Sequence, residues 1–361
     1  MRIFCVSDLH TDCPENLRWC ENLEREPDSA LIVAGDVATD LGQLRRCFAV
    51  LQARYDVVFY TPGNHELWRS RGFDDSLKKL FAVLRLCDEV GVRTRPELLP
   101  CGCFVVPLLS WPHEDWDREP PLQLPPGESY ARPIAPVERC ISDYGACAWP
   151  AGYPRNGSRA LSELFDAMND LAALLAVRRA AFPSVPLISF SHFLPRQALL
   201  PEKRFLFQPN LAKAVGSDFV ERRVRELGST IHVFGHTHFS WDAALDGVRY
   251  VQHCLGTPDE AKRREVFMDG IWSGHPKPLL LWDSERPVPR REHAPYWSAF
   301  YAANERDPTS YHMAEYVRRV YCPNAPAAAM PLPRGADAAA RGDSDASLQR
   351  RLVRLAGASR A

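Results

Sequence analysis

An α/β fold with two sheets covered by helices is what this chain predicts, and three observations carry that prediction. Apolar, β-rich runs alternate with stretches of helical period. Residue types that bind metals stand directly after several of those runs. The 361 residues are 46% hydrophobic, enough to bury one large core or two small ones.

The strand-like runs are 2–7, 30–35, 57–61, 104–110, 186–191, 230–235, 248–254 and 278–282. Leu41, Leu44, Phe48 and Leu51 recur at helical spacing, as do Leu77, Leu80, Phe81 and Leu84. The longest helix is expected over about 158–181, with Leu161, Leu164, Phe165, Met168, Leu171 and Leu175 on its buried stripe. A further helix at 217–227 is stopped by Gly228.

The ends of these runs carry the chemistry. Asp8-Leu9-His10 closes the first run, Gly35-Asp36 the second and Gly63-Asn64-His65-Glu66 the third. Ser191-His192 and Gly235-His236-Thr237-His238 close two later ones. An active site built on the ends of adjacent strands requires this placement. Two cations about 3.5–4 Å apart clamp a phosphoryl group and ionise a bridging water. A carboxylate, with two oxygens and a charge, best holds cations that close. Asp8, His10, Asp36, Asn64, His192, His236 and His238 supply oxygen and imidazole ligands suited to zinc, iron or manganese.

At these residues the chain resembles the calcineurin-like metallophosphoesterase superfamily, over roughly residues 1–285. The family pattern is Asp-x-His, Gly-Asp, Gly-Asn-His-Asp/Glu, a lone His, then Gly-His-x-His, and all of it is present. The resemblance implies a four-layer αββα sandwich of two mixed sheets flanked by helices. It implies two divalent or trivalent transition-metal ions (Mn, Fe or Zn). The first takes Asp8, His10, Asp36 and His238; the second takes Asp36, Asn64, His192 and His236, with Asp36 bridging. It places His65 beside the leaving-group oxygen as acid or charge stabiliser, oriented by Glu66, and a metal-bridging hydroxide in line for attack on phosphorus. Protein Ser/Thr phosphatases of this superfamily continue Gly-Asp-x-Val-Asp-Arg-Gly, whereas Gly35-Asp36 runs on as Val37-Ala38-Thr39-Asp40. Purple acid phosphatases place a Tyr where this chain has Thr39. What remains is the broad Asp-x-His group, which cleaves phosphodiesters, nucleotides and small phosphomonoesters.

Composition bounds the partners. A formal net charge of -1 gives no bulk attraction to nucleic acid or membrane. That counts against a nuclease and favours a small phosphorylated substrate. No apolar stretch approaches the ~18 residues needed to span a bilayer. The first ligand comes so early that no cleavable leader is expected, which predicts a cytoplasmic protein. The 11 cysteines lack a framework spacing and read as reduced thiols, the close pair Cys101 and Cys103 included.

Two segments depart from a minimal sandwich. Residues 111–157 are rich in Pro and in aromatics: Trp111, Trp116, Tyr130, Tyr144, Trp149 and Tyr153. They form either an inserted lid beside the metal centre, removable without loss of metals, or aromatics packed on a sheet edge. The stretch after His192 carries Arg196 and Arg204, candidates for the substrate phosphate because a guanidinium donates two parallel hydrogen bonds. His113, in the insert, is a third candidate. His232 and His253 read as packed histidines. Asp12 and Asp40 are either supports for the ligands or loop acids. Residues 286–322 keep enough aromatics to dock on the domain, while 323–361 predict disorder apart from a short helix around Leu348–Leu355. The function predicted is a dinuclear-metal phosphoric ester hydrolase acting on a monoester or a diester. The alternative is a catalytically silent scaffold of the same fold that binds a protein partner.

Overall fold

The computed structural model describes residues 1–260, 277–288 and 294–325. Strand β1 (Arg2–Val6) runs parallel to β2 (Glu26–Ala34), and β2 parallel to β3 (Tyr55–Thr61). Then follow β4 (Glu97–Leu99), β5 (Cys103–Pro107), β6 (Leu187–Phe190), β7 (Ile231–Phe234), β8 (Trp241–Leu245) and β9 (Val248–Gln252). These six form a second sheet in the order β4-β5-β6-β7-β9-β8, parallel at its centre and antiparallel at both edges. The chain returns to the first sheet with β10 (Leu279–Asp283), antiparallel to β1.

The two sheets pack face to face through alternate residues. Ile3, Cys5, Ala30, Ile32, Ala34 and Phe59 of the first sheet meet Val105, Ile188, Phe190, Val233 and Val251 of the second. The intervening positions Phe4, Val6, Leu31, Val33, Val58 and Tyr60 face outward. They are covered by α1 (Pro14–Glu21), α2 (Leu41–Gln52) and α3 (Ser76–Val90) through Trp19, Leu44, Phe48, Leu51, Val83 and Leu86. Strands buried on both faces explain why the central runs read as unbroken apolar stretches. Caps fix the helix starts. Asp40 accepts from the Gln43 N–H, and Asp75 from those of Leu77 and Lys78, contacts worth about 1 kcal/mol each.

Two short helices, α4 (Val137–Cys140) and α5 (Asp143–Ala146), lie within the insert. The single long helix expected over 158–181 is instead α6 (Arg159–Ala167) and α7 (Ala172–Ala181). The break falls where Asn169 turns its side chain to the backbone of Leu109, accepting from its N–H and donating to its carbonyl, both at 2.8 Å. Within α6 the buried face is Leu161, Ser162, Phe165 and Asp166, and Leu164 stands 41% exposed rather than on a buried stripe. The outer face of the second sheet is covered by α8 (Asp218–Leu227), whose Val220 and Val224 pack with Phe234, Val248 and Tyr250. Gly228, at φ 60, ends α8 in the left-handed conformation. The layers are therefore helix, sheet, sheet, helix. No helix among the described residues is long and apolar enough to cross a membrane.

Two strands add to the eight runs expected. β4 is a three-residue edge strand. β8 pairs with β9 through Asp246-Gly247, at φ 47 and 83, the left-handed pair of a two-residue hairpin turn. Beyond β10, α9 (Tyr296–Ala303) and α10 (Glu315–Tyr321) bring Phe300, Val317 and Tyr321 against Leu122 and Phe205. Of residues 323–361, expected to be disordered, Ala325 is instead buried beside Val317 and Tyr321. Residues 326–361, with the helix expected around Leu348–Leu355, lie outside the described residues.

Candidate metal centre

The loops that leave β1, β2, β3, β6 and β7 carry the predicted ligands, and the sheets are tied together where those loops emerge. Ser7, just past β1, bridges to Cys254, just past β9. Thr61 at the end of β3 donates to the Leu108 carbonyl at 3.0 Å. The turns there are tight. Asp8, His10, Asp36, His236 and His238 all have positive φ, and only Asp28 and Asp246 join them among the described non-glycine residues. Such a conformation costs a non-glycine residue about 1 kcal/mol or more, and its concentration on the ligands marks a functional site.

Asp8, His10, Asp36 and His238 bring ligand atoms within 4.8 Å of one another, and so do Asp36, His192 and His236. Asn64 joins the second group, its Oδ1 lying 3.0 Å from His192 Nε2 and 2.9 Å from His236 Nδ1. In the first group His10 Nε2 and His238 Nε2 face each other at 2.9 Å. Asp36 Oδ2 stands between the groups, 3.3 Å from His192 Nε2 and 4.0 Å from His10 Nε2. Oxygen and imidazole donors in this proportion fit transition-metal ions.

Three of the four candidate ligand imidazoles are fixed from behind. His192 Nδ1 donates to the Ala34 carbonyl at 2.8 Å and His236 Nε2 to the Ala214 carbonyl at 3.1 Å. His238 Nδ1 meets Glu260 Oε2 at 2.7 Å. Those bonds turn the opposite ring nitrogen of each toward the other candidate ligands. Burial, then His238, pushes His10 down to about 4. Burial, then His192, pushes His236 down to about 3. Burial works against a charge on His192, but Asp36 outweighs it and raises that imidazole to about 9. Burial likewise opposes ionisation of Asp8, yet His238 and His192 hold it at about 2. A cation in the second group would take the place of the proton on His192.

His65 is not part of either group. Its N–H donates to Asp36 Oδ1 at 3.0 Å, its Nε2 lies 3.9 Å from Asp36 Oδ2, and its ring stacks on Trp68 at 3.7 Å. Glu66 does not orient it. The Glu66 carboxylate accepts from the N–H groups of Asp36 (3.1 Å), Val37 (2.5 Å), Ala38 (3.0 Å) and Gly63 (2.7 Å). It locks two ligand loops together, and the ring of Trp68 is what faces His65.

Gly63 has no room for a side chain. A Cβ there would lie under 3.0 Å from Asp36 Oδ1 and His192 Cε1. Gly63→Ala is expected to displace Asp36 and His192 and to lower kcat about 10²-fold, the cost of a misplacement near 1 Å. Steady-state kinetics on a protein whose circular dichroism is unchanged checks it.

The three candidates for substrate phosphate are held elsewhere. Arg196 pairs with Asp246 at 2.7 Å and lies over the Tyr250 ring. Arg204 pairs with Glu202 at 2.8 Å and donates to the His312 carbonyl at 3.0 Å, anchoring the segment before α10. His113 is fully buried, with Nε2 accepting from the Asp218 N–H at 3.2 Å. Each sits on a loop that starts near the ligands, but a counter-charge or a buried backbone group claims it first. Asp12 accepts from the Thr39 N–H at 2.8 Å and Asp40 caps α2, so neither touches a ligand imidazole. His232 is packed as expected, fully buried between Ser189 and Ser191 and pushed down to about 3 by burial.

Three supporting residues have no signature in the sequence: Glu260 behind His238, Trp68 against His65, and Asp143. The last lies in the insert, yet it accepts from the Asn64 side-chain amide at 2.8 Å. The insert therefore touches the candidate ligand Asn64, which ties it to the ligand loops. Two of its tryptophans, Trp111 and Trp116, are core. Trp111 stacks on Phe165, and Trp116 packs among Leu194, Val215 and Phe234.

Residues 1–115, which hold the first three motifs, match the family model described as calcineurin-like phosphoesterase. Over those residues the chain is similar to the calcineurin-like phosphoesterases. That likeness, with the relative described next, supports a hydrolase acting on phosphoric ester bonds. It is 26% identical over 285 residues to the [acyl-carrier-protein] phosphodiesterase PptH of Mycobacterium tuberculosis (strain ATCC 25618 / H37Rv), an alignment spanning 73% of this chain and 81% of that protein. The crystal structure of phosphopantetheinyl hydrolase (PptH) from Mycobacterium tuberculosis superposes with a TM-score of 0.56 at 25% identity, covering 73% of this chain and 92% of that one.

Proposed function

We propose that this protein is a phosphodiesterase whose substrate is the diester joining phosphopantetheine to a carrier protein. The observation that carries the reading is the likeness to PptH across 81% of that protein, together with a complete ligand set. The ligand set alone selects the reaction, and the relative's activity selects the ester.

The site's exposure suits such a substrate. The side chains of Asp36, His192 and His10 are 2%, 0% and 6% exposed, whereas those of His65 and His238 reach 24% and 16%. The ligands form a floor entered past His65 and His238, within reach of a thin arm on a larger protein. Asp8, His10, Asp36 and His238 would hold one cation, and Asp36, Asn64, His192 and His236 the other, with Mn, Fe or Zn all matching these donors. Bound there, two cations supply an ionised water and neutralise charge on the phosphoryl oxygens. Asp36, common to both groups, would offer its carboxylate to both cations. The water oxygen bonds to phosphorus, the ester P–O bond breaks, and the departing alcohol oxygen takes a proton. His65, at the open rim and outside both ligand groups, is the donor of that proton. Trp68 holds its ring in place.

Intact-protein mass spectrometry of a phosphopantetheinylated carrier protein, incubated with the metal-loaded enzyme, tests the substrate. The expected result is loss of one phosphopantetheine per carrier, with a bis-aryl phosphate diester hydrolysed faster than the corresponding monoester. Turnover of the aryl diester with an unchanged carrier would overturn the substrate and leave the reaction class standing.

A further inference from the structure

Asp143 sits at the start of α5, and its side chain is buried to 3% exposure. One oxygen, Oδ1, accepts two hydrogen bonds: from Asn64 Nδ2 at 2.8 Å and from Trp68 Nε1 at 2.5 Å. The other oxygen has no hydrogen-bond partner among the described residues. The carboxylate therefore serves these two donors alone. A carboxylate accepts and does not donate, so it fixes which end of the Asn64 amide faces it. The NH2 turns to Asp143, and Oδ1 turns to His192 and His236. The indole bond in turn sets the plane of Trp68, on which His65 stacks with an interplanar angle of 28°.

The segment that carries Asp143 is bolted to the loop that carries Asn64. The Arg69 N–H donates to the Ala146 carbonyl at 2.8 Å, and its guanidinium to the Gly145 carbonyl at 2.7 Å. The Ser76 N–H donates to the Ala148 carbonyl at 2.8 Å, and its Oγ accepts from the Ala148 N–H at 3.0 Å. An acceptor mounted this firmly holds its donors in one geometry. The insert thus reaches both halves of the proposed chemistry through one oxygen atom: a ligand of the second cation and the histidine beside the leaving group.

We propose that Asp143 is a positioning residue, supplied by the insert, that aims Asn64 at the second cation and Trp68 at His65. The proposal rests on the assignment of Asn64 as a ligand made above. It concerns orientation, so a neutral acceptor of the same shape preserves it.

Titration of metal-free protein with Mn2+, read by calorimetry alongside circular dichroism, tests it. Wild-type protein should take up two ions. Asp143→Ala should weaken the second by about 10–100-fold, the usual cost of losing a supporting hydrogen bond to a ligand, and leave the first within about twofold. Asp143→Asn, whose amide oxygen accepts the same two bonds, should restore the second ion to within about threefold of wild type. Asn64→Ala with Asp143→Ala should bind no more weakly than Asn64→Ala alone, because Asp143 acts on the ion through Asn64. Additive losses, an unchanged second ion in Asp143→Ala, or a failure of Asp143→Asn to restore it would overturn the proposal. Should Asp143→Ala lose the fold, Trp68→Phe takes its place. That variant keeps the Asn64 bond and should bind both ions as wild type does, with kcat reduced only for esters of poor leaving groups; loss of the second ion would contradict the proposal. Wild-type protein that takes up no Mn2+ would instead sink the metal assignment itself.

Discussion

Asp36→Asn is expected to abolish turnover and weaken both metal positions while the protein keeps its fold. Asp36 is the residue common to both ligand groups, and its side chain is 2% exposed between them. Asn removes the charge that faces His192, His10 and both cation positions, and it substitutes a donor for one of two acceptors. The effect should exceed the roughly 100-fold that losing a supporting contact costs, because a ligand of two ions is lost at once. The fold should survive because the Asp36 side chain does not hold its own loop. The backbone N–H groups of Asp36, Val37 and Ala38 are held by Glu66. Metal content, kcat and a thermal melt on the same preparation check all three parts. A variant that keeps two ions and near-normal activity would refute the bridging role.

His65→Ala should keep both ions yet lose on the order of 10²–10⁴ in kcat, the range of a general acid. The geometry separates His65 from the ligands. Its ring lies on Trp68, and its Nε2 is 3.9 Å from the nearer Asp36 oxygen. The loss should shrink for an aryl ester with a good leaving group, which needs little protonation to depart. Equal losses for good and poor leaving groups would make His65 a charge stabiliser instead of a proton donor. Departure of an ion would make it a ligand.

The candidate ligands were legible in the sequence because each sits where a strand ends and the chain must turn. An apolar run followed by Asp-x-His or Gly-His-x-His advertises its place on the strand end without any tertiary information. Gly63 was legible as part of a motif, but its reason, the closeness of Asp36 and His192, needed coordinates. Asp143 and Glu260 were not legible at all. They reach Asn64 and His238 across 79 and 22 residues of chain, and a lone acid in a loop carries no periodicity. Arg196 and Arg204 misled for the converse reason: leaving a ligand strand gives proximity to the site, while Asp246 and Glu202 decide where the guanidinium points. In the fold, the apolar pattern of 158–181 continues through Met168 and Leu171, and it hides the Asn169 contact that breaks the helix. The β8–β9 hairpin did have a local signal, the Asp246-Gly247 turn, which the weakly apolar Trp241–Leu245 run obscured.

Two cations held by seven residues, and turnover that depends on them, form the central claim. The most direct measurement is metal analysis by inductively coupled plasma mass spectrometry on purified protein, before and after chelation, with aryl diester hydrolysis assayed on the same samples. The account predicts about two transition-metal ions per chain, as the paired site of this chemistry requires. It predicts loss of activity with the ions and recovery on adding Mn2+ or Zn2+ back. Protein that carries no transition metal and hydrolyses the diester equally well in chelator would contradict it.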